Sequence, residues 1–113
     1  MDISFANLSL QELVQSTVRS DAHFGPQDGA LLRQRLCELL AANSLAIAAS
    51  VPTLGMKKLG SRNGGFGVRV RSRLRLVFEV ADSNAPRVGG DGNVDLAKVG
   101  AIRILAVEEC DEP

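Results

Sequence analysis

The sequence predicts a single α+β domain in which two helices pack on one face of a small, mainly antiparallel sheet, in the order β-α-α-β-β-β. Three observations lead there. The chain has 113 residues, the length of one domain built on one hydrophobic core. Its apolar fraction of 45% is that of a folded globule, and with four Phe and no Trp or Tyr the core must be mostly aliphatic. Finally, the hydrophobic pattern changes at Met56 from helical spacing to strand alternation. The domain is expected to span residues 1–113, with no internal repeat and no second unit.

The elements follow in order. Residues 2–6 read as a short strand in which Ile3 and Phe5 alternate with Asp2 and Ser4. Ser9-Leu10-Gln11-Glu12 is a capping box, with Leu8 and Leu13 placed as its hydrophobic staple. A helix is therefore expected from residue 10 to about 19, burying Leu10, Leu13, Val14 and Val18. Phe24-Gly25-Pro26 interrupts that pattern, and Pro26 suits the first turn of a second helix reaching about residue 43. Leu32, Leu36, Leu39 and Leu40 supply its buried face. Residues 44–50 are small and apolar, enough for a weak extra turn.

Beyond Met56, Phe66, Val68 and Val70 alternate with Gly67, Arg69 and Arg71, and Leu74, Leu76 and Phe78 alternate with Arg73, Arg75 and Val77. The two runs read as an antiparallel hairpin with one aliphatic and one arginine-bearing face. Residues 81–100 are rich in Gly, Asn, Asp and Pro and read as a partly flexible insertion. Residues 101–108 form the last strand, with Ile102, Ile104 and Ala106 opposing Arg103, Leu105 and Val107.

The net charge of zero conceals an uneven distribution. Residues 57–75 carry Lys57, Lys58, Arg62, Arg69, Arg71, Arg73 and Arg75 without a single acid, whereas residues 76–113 carry eight acids against three bases. Arginines on facing strands stand about 4.5–5.5 Å apart, and like charges that close call for an anion. Phosphate groups would satisfy them through bidentate guanidinium contacts. So would Glu79, Glu108, Glu109 or an acidic partner protein, and the sequence leaves both readings open.

No apolar run approaches the roughly 18 residues that cross a bilayer. The opening MDISFANLS lacks the basic region of a secretory signal, and the two cysteines, Cys37 in a helical pattern and Cys110 in the acidic tail, do not suggest a disulfide framework. A cytoplasmic protein is expected. Gly64-Gly65-Phe66-Gly67 is followed by a strand, where a nucleotide-binding glycine loop needs a helix. Asp91-Gly92-Asn93-Val94-Asp95 opens like a calcium loop, but Leu96 stands where the sharp turn needs Gly and Ile102 where the closing Glu belongs. His23 has no companions for metal ligation or a catalytic triad. Neither metal nor cofactor is expected.

Three segments carry a resemblance: Lys58-Leu59-Gly60-Ser61, Gly65-Phe66-Gly67-Val68-Arg69-Val70 and Leu74-Arg75-Leu76-Val77-Phe78. Together they resemble the signature of the RelE/ParE toxin superfamily, in its HigB-like plasmid maintenance killer branch, with its K-L-x-G turn and two arginine-bearing strands. The resemblance covers nearly the whole chain in element order. It implies a RelE-like fold and a toxin of a type II toxin–antitoxin pair that cleaves messenger RNA on the ribosome without a metal. It further implies catalytic roles for Arg69, Arg75 and Lys58, and RNA docking by Lys57, Lys58, Arg62, Arg71 and Arg73. A helix-turn-helix antitoxin, the ribosome and messenger RNA would be its partners, with self-association left open.

The family's closing D-Y-H is replaced here by Val107-Glu108-Glu109-Cys110-Asp111, so Glu109 or Asp111 would have to substitute in proton transfer. Two alternatives stay open: a toxin-fold protein that binds antitoxin or RNA without cutting, and a ParE-like toxin with a non-RNA target.

Overall fold

The computed structural model describes residues 1–58, 65–71, 74–81, 87–88, 93–94 and 96–109. The order is β1 (Asp2–Phe5), α1 (Leu8–Gln15), α2 (Thr17–Phe24), α3 (Pro26–Ala41), α4 (Leu45–Ala49), a 3₁₀ turn (Pro52–Leu54), β2 (Lys57–Lys58), β3 (Gly65–Arg71), β4 (Leu74–Val80), β5 (Arg87–Val88), β6 (Asn93–Val94), a second 3₁₀ turn (Leu96–Lys98) and β7 (Ala101–Glu109). The class is α+β, with four helices among the described residues where two were expected. Among the described residues no helix is long and apolar enough to cross a membrane.

The difference in helix count begins with caps. Asn7, not Ser9, starts α1: its backbone is extended and its Oδ1 accepts from the Leu10 amide at 2.8 Å. Asn caps as well as Ser does, so the helix begins ahead of the expected box, and the proposed staple fails because Leu8 is 68% exposed. Ser16 then ends α1 and starts α2. Its N–H donates to the Glu12 carbonyl, while its Oγ accepts from the Arg19 amide. One serine thus supplies a C-cap and an N-cap, and the change of axis moves Val18 out of the expected stripe to 79% exposure.

Gly25, at φ 92°, separates α2 from α3 in a backbone conformation that glycine adopts without strain. Pro26 opens α3, as expected. Leu32, Leu36 and Leu39 are buried along α3, whereas Leu40 is half exposed. The extra turn expected after residue 43 is the short helix α4, capped by Ser44 Oγ accepting from the Ile47 amide.

Helices α2 and α3 meet closely at Gly29 and Ser20. Arg33 donates to the buried Ser20 hydroxyl and pairs with Asp21 at 3.1 Å. A methyl group at Gly29 would run into Asp21 Oδ1 and stand 3.2 Å from the Asp21 amide nitrogen. The Asp21 side chain can swing away, but the α2 backbone cannot. We expect Gly29→Ala to lower stability by about 1–3 kcal/mol despite its better helix propensity. Denaturant titration checks this, and a stabilised variant would show that the helices are not tightly apposed.

Five strands form one sheet in the order β1-β7-β4-β3-β2. Only β1 and β7 run parallel; the other pairs are antiparallel. Leu10 and Val14 of α1, Leu32, Leu36 and Leu39 of α3, and Leu45 and Ala48 of α4 close one core with Phe66, Val68, Val70, Leu74, Leu76, Phe78, Ile102 and Ile104. The helix layer covers one face of the sheet. Within residues 81–100, β5 and β6 pair with each other, Val99 is buried, and its carbonyl accepts from the Leu45 amide.

Two register shifts change which side chains share a face. On β3, Arg69 pairs with Arg75 but Arg71 pairs with Leu74, which makes Val70 an extra residue. On β7, Ala106 pairs with Val77 but Ile104 pairs with Phe78, which makes Leu105 the extra residue. The expected run of Ile102, Ile104 and Ala106 on one face is therefore broken. Val107 packs against the core, and Ala106 and Glu108 go to the face away from the helices.

Candidate functional site

Cross-strand partners point to the same side of a sheet, so the pairings lay out the helix-distal face in rows. One row runs Arg69, Arg75, Glu108 across β3, β4 and β7. The next is small and apolar apart from its edge: Lys57, Gly67, Val77, Ala106. Val77 is fully buried, yet it lies outside the core cluster on the helix side. A third row runs Gly65, Glu79, Arg103, Ser4, and Arg103 pairs with Glu79 at 3.0 Å.

The first row carries the chemistry. Arg69 and Arg75 are direct cross-strand neighbours, an arrangement that is repulsive without an anion. Arg75 Nη2 reaches Glu108 Oε1 at 3.3 Å, a single long contact, and Arg75 Nε is buried with no hydrogen-bond partner. Among the described residues, the Arg69 guanidinium and the Lys57 ammonium have no hydrogen-bond or ion-pair partner, and both side chains are exposed. Arg69, Arg75 and Lys57 thus gather in two adjacent rows of this face with Glu108 beside Arg75, apart from the paired Arg103 and Glu79. A planar guanidinium fork with spare donors is suited to phosphate or carboxylate oxygens.

Several expected site residues lie elsewhere. Arg71 was placed on the same face as Arg69. The shift at Val70 instead turns it toward α3, where its Nε meets Asp28 Oδ2 at 2.6 Å. Lys58 pairs with the core residue Phe66, so Lys57 rather than Lys58 shares the face of the two arginines. Glu109 pairs with Leu74 and falls on the helix-side face, whereas Glu108 stands beside Arg75. Arg62, Arg73 and Asp111 lie outside the described residues.

Glu108, one of the carboxylates the sequence offers as a counter-charge for the arginines, is the one beside Arg75, although the sequence pattern does not place it on their face. Strict alternation along β7 places it with Ile102 and Ile104, and only the extra residue at Leu105 reverses that. The alternation therefore carried no warning of it.

His23 lies in the helix layer, in T-shaped contact with Phe24 at 4.5 Å between ring centres. It lines a shallow depression of about 360 Å³ with Ser9, Leu13, Arg19 and Ala22. It does not belong to the arginine row. Among the described residues no three His, Cys, Asp or Glu side chains gather in a metal-binding group. No family model matches this chain, and no curated protein matches it.

Proposed function

We propose that this chain is a RelE/HigB-like toxin of a toxin–antitoxin pair, acting on messenger RNA at the ribosome as a metal-independent endoribonuclease. One observation carries the reading: Arg69 and Arg75 stand side by side on the helix-distal face with Lys57 nearby, and the Arg69 and Lys57 charges have no partner among the described residues. The β-strand, helices, then antiparallel strands of the RelE-like order agree with it.

The chemistry asked of this face is modest. A ribose 2′-oxygen gives its proton to a base and attacks the adjacent phosphorus, a 2′,3′-cyclic phosphate forms as the bond from phosphorus to the 5′-oxygen breaks, and the departing 5′-oxygen takes a proton from solvent water. Arg69 and Arg75 would stabilise the charge on the phosphorane oxygens, a role that suits fixed guanidinium groups. Glu108, held beside Arg75, is the described carboxylate placed to accept the 2′-hydroxyl proton. Lys57 would hold the backbone of the RNA.

A second reading, binding without cutting, is favoured by the placement of His23, the single histidine of the sequence, in the helix layer. Inducible expression in a bacterium, with growth and messenger RNA ends followed together, tests the proposal. Arrest accompanied by new ends within coding regions supports cleavage. Undisturbed growth with intact messages removes it.

Glu108→Gln separates the two readings. Neutralising the carboxylate frees Arg75, so RNA binding should tighten severalfold in either case. Cleavage should fall by about 10²-fold or more if Glu108 is the base and should be absent from both proteins if the face only binds. Cleavage unchanged by the substitution would exclude Glu108 from proton transfer.

A further inference from the structure

We infer that Arg35 of α3 is a positioning residue for Arg69, fixing its guanidinium beside Arg75 by holding the bulge of β3; this rests on the RNA-binding reading of that face. At a bulge the ladder is interrupted and the bulged strand is left short of partners. Here the carbonyl of Arg69 accepts from Arg35 Nε at 3.3 Å, a bond from a helix to a sheet 34 residues away in sequence. Arg35 is itself restrained. Its Nη1 pairs with Glu38 Oε1 at 3.1 Å, and Glu38 Oε2 accepts from Thr53 Oγ1 at 3.1 Å. Its side chain is only 13% exposed, so this is a largely desolvated charge, not a surface arginine.

The other side of the bulge is held from the same helix. Asp28 takes Arg71, and Asp28 and Arg35 are seven residues apart, two turns on one face of α3. Leu32, between them, is fully buried in the core. Two charged contacts thus bracket Val70, one turning Arg71 toward the helices and the other fixing the Arg69 backbone as its side chain leaves the opposite way. Gly55 adds a wall: a Cβ built there would stand 3.4 Å from Arg69 Cβ. A catalytic or binding group displaced by even an ångström loses much of its effect. Arg35 therefore acts on the phosphate site without touching it.

The test measures affinity for a single-stranded RNA oligonucleotide over a range of salt concentrations. It compares the wild type, Arg35→Met, Arg69→Ala and the double variant, each with its thermal midpoint. Met keeps the packing stem and removes the donors. We expect Arg35→Met to weaken RNA binding by about threefold or more in the wild-type background, and to have no further effect once Arg69 is alanine. Arg35→Lys should recover part of the loss. Thr53→Val, an exposed substitution that only unlocks Glu38, should give a smaller loss of the same sign.

A purely structural Arg35 would lower the thermal midpoint and weaken RNA equally in both backgrounds, which overturns the inference. Unchanged affinity in Arg35→Met overturns it too. If Arg69→Ala itself leaves RNA binding intact, the RNA reading falls, and the inference falls with it for that separate and visible reason.

Discussion

Replacing Arg69 and Arg75 together by alanine should abolish RNA-directed activity while leaving the fold intact. Each charged hydrogen-bonding contact to phosphate contributes about 1.5–3 kcal/mol, so losing two should weaken RNA binding by two to four powers of ten. The salt dependence should change with it. Two phosphate contacts on a single strand account for a slope of about 1.4 in log affinity against log salt, and the double variant should lose that much. Stability should stay level or rise slightly, because the two arginines are direct cross-strand neighbours and their removal relieves repulsion. Arg103→Ala, on the same face but paired with Glu79, is the control and should change little. Equal affinity and equal salt slope in wild type and double variant would end the case for this face as the RNA surface.

The largest expected effect on stability is at Phe78. It is fully buried on β4, between β3 and β7, and stacks on Phe66 at 5.8 Å between ring centres and 21° between planes. The chain has four Phe and no Trp or Tyr, so little else can fill the space. Phe78→Ala should cost about 3–5 kcal/mol, combining lost transfer energy with the cavity left behind. A domain of this size has about 5–15 kcal/mol in all, so the variant should be close to unfolding and melt more than about 12 °C lower. Leu40→Ala, at a half-exposed position on α3, should stay within about 1 kcal/mol of wild type. A loss below about 1 kcal/mol at Phe78 would mean that the core is not closed around this ring.

The alternation of Phe66, Val68, Val70, Leu74, Leu76 and Phe78 foretold the hairpin and its buried face, because a hydrophobic period of two is a direct imprint of the pleat. Leu32, Leu36 and Leu39 of α3 were legible for the matching reason, whereas Leu40 was expected inside and is half exposed. What escaped was decided by single residues. Ser16 splits one expected helix into two because a serine hydroxyl competes for backbone amides wherever the chain lets it. Val70 and Leu105 each shift a register by one, and hydrophobicity gives no sign of that, since both are apolar wherever they point. The arginine face was therefore visible as an inventory of charges and not as an arrangement. Arg71 left it, and Lys57 and Glu108 belong to it.

The extra residue at Leu105 has a genetic consequence. Because Leu105 has no partner of its own on β4, an in-frame loss of its codon would make the ladder regular: Ala106 would follow Ile104 directly opposite Val77, and Ala106, Val107 and Glu108 would keep the faces they now hold. In a strand without a bulge the same loss would exchange inside and outside for every residue beyond it. β7 thus carries one codon of slack, placed just ahead of the carboxylate that stands beside Arg75.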